Sequence, residues 1–439
     1  MNIPPGPPPQ CPAHGGNPIR LYGAAAEADP MALYEDARET HGPVAPVLVL
    51  DDLPAWLVLG YRENAQVARN ANLFSRDPRN WRALQEGKVR EDHPLSPMTT
   101  WWPVVNFNDG EVHKRLSDAV KDGLRRFERL GIRRYVARCA NQLIDQFEHN
   151  QADLVADYAR QLPILVMGHL VGVDEQHGPR LAHAVPDMLQ GTETSLASDR
   201  YVTTVLQDLV KERKSKPGHD LTTWLLEHPS QLSDEEVLAH IRVTLVAACE
   251  TTATLIANTL RMVLTDLRFR GHLSGGQMTL PEAVEQMLWD QPPLNTVIGR
   301  WATETTQLGG HTIKKGDMLL LGLAAANRDP AVRPSDDDLS TPIHQNRAHL
   351  AFSSGAHECP GQNIGRAIAQ AGIETLLARV TGLELSVPEE ELTRSGTLMS
   401  QHLVGLPVTF LPPQAKDTDA PTAVRSAAPT TANPRMPGS

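Results

Sequence analysis

The sequence predicts a mainly α-helical protein with small β-sheets at its edges. Three observations carry that expectation. Helix-spaced apolar residues recur along the chain, one long segment is apolar on nearly every face, and strand-like runs are short and scattered. Amphipathic spacing marks helices from Pro30 to Thr40, Arg115 to Leu130 and Tyr135 to Gln146. The long segment opens at Ser233 with Glu236 three residues on, a capping box that satisfies free N–H groups at a helix start. Apolar residues follow at Val237, Leu238, Ile241, Leu245, Val246, Leu255, Ile256 and Leu260, so the helix is expected to reach about Leu267. That length is on the order of 45–50 Å at 1.5 Å per residue. Its middle, Leu245 to Ala257, is greasy all round, as in a helix at the centre of a large protein. Strands are expected at Pro46 to Leu50, Trp56 to Leu59, Met318 to Leu321 and Leu406 to Phe410.

Composition narrows the function classes. The 439 residues carry 41 Lys plus Arg against 52 Asp plus Glu, a net charge of −11, which argues against a nucleic-acid binder. Residues 1–16 are polar and proline-rich, and residues 413–439 are rich in Ala, Pro and Thr. Neither end holds enough large apolar side chains to offset its ordering entropy, so both are expected to be disordered. Residues 17–412 read as a single domain. The N-terminus lacks the basic and apolar regions of a signal peptide, and no unbroken apolar run of about 18 residues predicts a membrane span. A cytoplasmic location is expected. The four cysteines, Cys11, Cys139, Cys249 and Cys359, are too far apart for a zinc ribbon and fit a reducing compartment.

One of these cysteines stands in an unusual setting. The string Phe352-Ser-Ser-Gly355-Ala-His357-Glu-Cys359-Pro-Gly361 leads into a helix expected from Gln362 to about Val380. The flanking glycines let backbone N–H groups approach sulfur, and a helix start favours a thiolate. Such a cysteine suits an axial iron ligand or a nucleophile. Taken alone, a buried cysteine packed as a small hydrophobe is the commoner outcome.

The whole string resembles the haem-binding loop of the cytochrome P-450 superfamily, Phe-x-x-Gly-x-His-x-Cys-x-Gly, at every fixed position. The resemblance extends over roughly residues 17 to 411. It implies a triangular helical prism with haem b held between the long central helix and the helix after Cys359, and O₂ as co-substrate. By this resemblance Cys359 is the proximal thiolate ligand of the haem iron, favouring O–O cleavage. His357 meets a haem propionate, Phe352 shields the sulfur, and Gly355 belongs to the same cofactor-binding loop. The central helix then carries the oxygen-activation motif, read here as Ala247-Ala248-Cys249-Glu250-Thr251-Thr252. Thr251 steadies bound dioxygen and Glu250 relays protons, against the plain alternative of a Thr bonded back to the i−4 carbonyl. Ala248 stands where relatives usually have Gly. His113, at the start of a helix, and Arg300, in Arg300-Trp-Ala-Thr-Glu, match further propionate ligands; Ser117 replaces the Arg usual there.

The chain departs from its family in one place. The Glu-x-x-Arg pair reads Glu285-Gln-Met-Leu288-Trp289, with the Arg missing. Glu285 therefore needs another partner, and His344 or Arg347 is expected to supply it. This version resembles an actinobacterial subgroup without Glu-x-x-Arg. The activity implied is an O₂-dependent monooxygenase or oxidase acting on a small secondary metabolite. It would act by hydroxylation or by oxidative C–C or C–N coupling, for instance of an aromatic cyclodipeptide. The alternative is a non-catalytic haem-thiolate binding or regulatory protein; Glu250 and Thr251 favour the enzyme. Substrate contacts are expected from Trp102, Val243, Ala247, Leu294, Thr296, Val297 and Leu398. Trp81, Trp101 and Trp102 either stack on an aromatic substrate or anchor a long loop. No flavin, nicotinamide or iron–sulfur fingerprint occurs, so a separate ferredoxin and ferredoxin reductase are implied. Lys114, Arg115, Lys121, Arg125 and Arg126 form a candidate docking face.

Overall fold

The computed structural model describes residues 18–411 except 91, 130, 191–192, 334–345 and 397. The expected tails at 1–16 and 413–439 lie outside the described residues.

A six-stranded sheet forms one side of the molecule. Its strands are β1 (Ile19–Arg20), β2 (Val44–Val49), β3 (Leu53–Val58), β4 (Phe74–Ser75), β5 (Val297–Ala302) and β6 (Met318–Leu321), in the order β1-β2-β3-β6-β5-β4. β2 and β3 are an antiparallel hairpin, Val44 opposite Val58, and β3 runs parallel to β6, Ala55 opposite Met318. These strands are buried on both faces, which is why they read as short continuous apolar runs rather than alternating ones. The β5–β6 register shifts between Ile298 and Arg300, where Gly299 takes φ +102. A bulge of this kind re-aims the next side chain, here Arg300.

Helices fill the other side: α1 (Tyr61–Arg69), α2 (Gly110–Arg129), α3 (Ile132–Ile144), α4 (Gln161–Val171), α5 (Asp234–Thr265), α6 (Leu280–Asp290) and α7 (Gln362–Arg379). α5 is the expected central helix, and Ser233 and Glu236 close its capping box. It stops at Thr265, two residues short of expectation, because Asp266 turns out of the helix and its carboxylate caps the N–H groups of Arg268 and Phe269. By length and composition α5 is apolar enough to cross a bilayer, although polar residues interrupt its apolar run. It is a core helix instead: Ile241, Leu245, Leu255, Ile256 and Leu260 are buried against α4, α6 and α7. α2 begins five residues before the amphipathic pattern does, because Gly110 and Glu111 start it without apolar partners.

Candidate functional site

The cysteine loop lies between β6 and α7, pinned by Gly355. Gly355 takes φ +75, and a Cβ there would meet the Ala68 carbonyl oxygen at 2.7 Å and Arg69 Cα at 2.9 Å, both at the end of α1. Only glycine permits that approach. The loop then closes on itself, the Cys359 N–H donating to the Phe352 carbonyl at 3.0 Å. Burial pushes the Cys359 thiol up, while a Gly361 N–H and the charge of Arg366 pull it down toward the thiolate. Cys359, Phe352 and Gly361 all line a cavity of about 320 Å³ at the start of α7.

α5 crosses the opposite wall. Val243, Thr244, Ala247, Ala248, Thr251 and Thr252 line the cavity. The Thr251 hydroxyl donates to the Ala247 carbonyl at 2.8 Å, the i−4 back-bond, and the residue also lines the cavity. Glu250 points away from the cavity. Its carboxylate lies 3.4 Å from His402 Nδ1 and lines a second, much smaller cavity with Arg160 and Cys249. Cys249 faces the same way and donates to the Leu245 carbonyl at 2.9 Å. It is buried within the helical core as a packing residue, and that burial pushes its thiol up.

A basic edge closes the cavity. His113, Arg300 and His357 stand there together, and Arg76 joins them. Arg76 Nη1 donates to the carbonyls of Ile298 and Gly299 at 2.8 and 2.7 Å, holding the bulge that aims Arg300. His357 Nε2 donates to Asp109 at 3.0 Å, and its ring lies 4.1 Å from that of His113. Burial lowers the pKa of Arg300 to about 9 and that of Arg76 to about 10. Arg300 Nε and Nη1 and His113 Nε2 are buried without a hydrogen-bond partner. Buried donors on a cation are costly until an anion meets them. Two carboxylates delivered to this edge, as on a haem, satisfy that demand, so the residues present fit the group. Arg76 was missed because a lone Arg in a loop carries no local pattern.

The expected substrate contacts divide. Val243, Ala247, Leu294 and Val297 line the cavity. Thr296 does not; it is fully buried and its hydroxyl pairs with Tyr34 at 2.9 Å. Leu398 packs instead with the apolar cluster of the sheet. Trp102 is 43% exposed, with the Arg242 guanidinium 5.7 Å over its ring, and Trp101 lies under Arg79. Both indoles cover their faces with surface arginines, whereas Trp81 is a core residue. Unforeseen lining residues are Asn106 and His240. His240 Nδ1 donates to the Glu236 carbonyl and its Nε2 accepts the Val105 N–H at 3.0 Å, tying the loop before α2 to α5.

Behind the cysteine loop, Glu285 pairs with the expected Arg347 at longer range and more closely with two residues that were not expected. Arg366 Nε donates to Glu285 Oε1 at 2.6 Å and Nη2 to Oε2 at 3.1 Å. His349 Nε2 donates to Oε2 at 3.0 Å, its tautomer fixed by the Ala351 N–H on Nδ1. Arg347 adds only an exposed contact at 3.6 Å, and His344 lies outside the described residues. The reason is packing: α6 lies on α7, so an Arg one turn inside α7 reaches a carboxylate on α6 with a bidentate fork. Leu288, at the position of the missing Arg, lines the cavity, and Trp289, one turn after Glu285, sets its ring edge-on to His349.

Comparison with known proteins agrees with this geometry. The cytochrome P450 family model matches residues 283–402. The mycinamicin IV hydroxylase/epoxidase of Micromonospora griseorubida is 30% identical over 389 residues, 86% of this chain and 94% of that one. The 2-hydroxy-5-methyl-1-naphthoate 7-hydroxylase of Streptomyces carzinostaticus is 28% identical over 401 residues, 86% of this chain and 97% of its own. Among solved structures, CYP154A1 from Streptomyces coelicolor A3(2) superposes with a TM-score of 0.76 at 27% identity, covering 87% of this chain and 98% of that one. With a cysteine loop, an oxygen-side helix and an anion-seeking edge around one cavity, and relatives matched over nearly their full length, the chain belongs to the cytochrome P450 family.

Proposed function

We propose that the protein is a haem-thiolate monooxygenase of secondary metabolism that oxidises a medium-sized, mostly apolar organic molecule. The observation that carries this is the cavity wall. Val243, Ala247, Leu294 and Val297 offer apolar surface, Thr244 and Asn106 offer a few polar contacts, and Thr251 stands on the same wall as the reacting space. Haem b is the family's cofactor; bound through a thiolate, it activates O₂ for insertion into an unreactive bond or for abstraction of hydrogen. Cys359, Arg76, His113 and Arg300 are the residues that would hold it. Thr251 supplies a hydroxyl for proton transfer on the cavity side of α5, and Glu250 faces outward, placed to exchange protons with solvent. Hydroxylation is the favoured outcome, since two relatives at 28% and 30% identity are named a hydroxylase and a hydroxylase/epoxidase. Coupling of an aromatic cyclodipeptide is a narrower reading within the same chemistry.

Electrons would come from a separate ferredoxin and reductase, and a cytoplasmic location belongs to the same proposal. The docking face suggested by α2 is weaker than its sequence implied. Arg115 pairs with Glu236, Lys114 with Asp118 and Arg125 with Asp122, so part of the charge is already answered, while Arg126 lies over the neutral ring of Trp224. The test has two steps. The reduced carbon-monoxide spectrum of the wild type should show the thiolate band near 450 nm, and Cys359→Ala should lose it. A spectral binding screen of apolar secondary metabolites, followed by turnover with a surrogate ferredoxin system, should give an oxygenated product. Absence of the band, or its persistence in Cys359→Ala, would falsify the proposal.

A further inference from the structure

The charge cluster behind the cysteine loop touches the ligand loop from two directions. Arg366 lies on α7 seven residues after Cys359, and its guanidinium carbon sits 4.5 Å over the Phe352 ring. The Phe352 carbonyl is the group that accepts the Cys359 N–H. The same guanidinium is held by Glu285 through both of its branches and by the Gln362 side chain at 2.9 Å. His349 completes the enclosure: it bonds Glu285, stands 5.8 Å from the Phe352 ring, and receives the edge of Trp289 at 5.9 Å. Trp289 is itself fixed by its Nε1–H on the Asn346 carbonyl at 2.7 Å. Glu285 and Trp289 are four residues apart on α6 and so present one face to this assembly. Both distinctive residues of the Glu-Gln-Met-Leu-Trp stretch are thereby spent on holding Arg366 and the loop it covers.

We propose that Arg366 is a positioning residue that sets how strongly the Cys359 thiolate donates to the haem iron, with Glu285, His349 and Trp289 fixing its charge against the Phe352 side of the loop. The inference rests on the haem-thiolate reading. A buried cation close to an anionic sulfur draws electron density from it and makes the iron easier to reduce; a carboxylate bonded to that cation cancels part of the effect. Glu285 and Arg366 therefore act in opposite directions on one quantity. A residue that only supports the fold would move both variants the same way.

The test is the ferric/ferrous midpoint potential of the haem-loaded protein, read by absorbance at a poised electrode that supplies the single electron. Arg366→Gln should shift the potential negative and Glu285→Gln should shift it positive. Each shift should be about tenfold in the reduction equilibrium, or about 59 mV for one electron. Arg347→Gln removes one charge at the exposed rim of the same carboxylate and should leave the potential near that of the wild type. Arg366→Lys keeps the charge while losing the fork, and should fall closer to the wild type than Arg366→Gln. Unchanged potentials, or shifts of the same sign in Arg366→Gln and Glu285→Gln, overturn the inference. If both Gln variants bind haem without the 450 nm band, Arg366→Lys decides. A band at near wild-type potential supports the inference, and no band in any of the three reduces the cluster to a structural support and overturns it. A wild type without the band defeats the haem-thiolate reading itself, a failure distinct from these.

Discussion

At Arg300 the protein keeps a guanidinium 2% exposed with two of its donors unpartnered. Nothing in an apolar interior rewards that arrangement unless an anion arrives, and the low pKa of Arg300 expresses the same strain. Replacing it separates folding from cofactor binding. Arg300→Leu should raise the stability of the haem-free protein by about 1–4 kcal/mol, as when buried ions give way to packed apolar groups. The same change should weaken haem retention roughly tenfold to a hundredfold, the loss of one charged hydrogen-bonding partner. Thermal melts of the haem-free protein and haem titration of wild type and variant check the two halves. A variant less stable without haem would show that Arg300 is a packing residue. Single residues were legible in the sequence where a motif fixed their spacing, as at Cys359, His357 and Thr251. They were illegible where contact depends on distant strands. Thr296 lies between cavity-lining neighbours in sequence, yet its hydroxyl turns to Tyr34, which stands 262 residues earlier. Trp102 stood open between stacking and anchoring because an aromatic pair in a loop carries no sign of the arginine that will cover it.

The pairing of α6 with α7 belongs to a larger scale, since neither helix alone makes sense of its charges. α6 buries Glu285 and Asp290; α7 answers the first with Arg366, and Arg333 answers the second. Glu285 lacks its usual partner, and its substitutes come from the expected segment, where Arg347 and His349 stand, and from α7. Arg366 was in view within the cysteine motif, but only helix-on-helix packing brings it to Glu285. Hydrogen bonds from His349 and Arg366 outweigh burial and hold the Glu285 carboxyl down at about 2, well below its ordinary 4.5. Its folded pKa is depressed, so its contribution to stability is fully present above pH 4.5 and fades as pH falls toward 2. Glu285→Gln should cost about 3–5 kcal/mol near neutral pH, because Arg366 is left buried without its anion. That penalty should shrink through the window from pH 4.5 to 2. Urea midpoints of both proteins across this window check it, and parallel pH curves would mean that Glu285 is not the titrating group. Helix ends follow the same logic of neighbours. The start of α5 was readable from Ser233 and Glu236, whereas its end at Thr265 was set by Asp266 capping the following helix.

The cavity lies where the two halves of the molecule meet, and this decides what binding does to the whole. The helical core around Val136, Leu143, Leu154, Tyr158, Ile373 and Leu376 is a continuous apolar cluster that extends well beyond the cavity. The sheet has its own cores, one through Ala45, Val47, Leu57 and Met318 and another through Val44, Val58, Phe74 and Leu319. Between them stand the groups with unmet demands: the bulged strand with Arg300, the first turns of α2 with His113, and the loop with Cys359. A ligand that binds only the folded state stabilises it by RT ln(1 + [L]/Kd), about 4.1 kcal/mol at a thousand times Kd. That energy is released at these three segments, so local opening there should respond first. Haem added to the haem-free protein should slow amide exchange at least tenfold in Val297–Ala302, Gly110–Ser117 and Ala351–Gly361. Exchange in α3, packed on α7 away from the basic edge, should change little. Hydrogen exchange read by mass spectrometry of peptides from these segments decides the matter. Equal slowing in α3 and at the cavity would mean that the molecule opens only as a unit and that the seam between its halves has no separate stability.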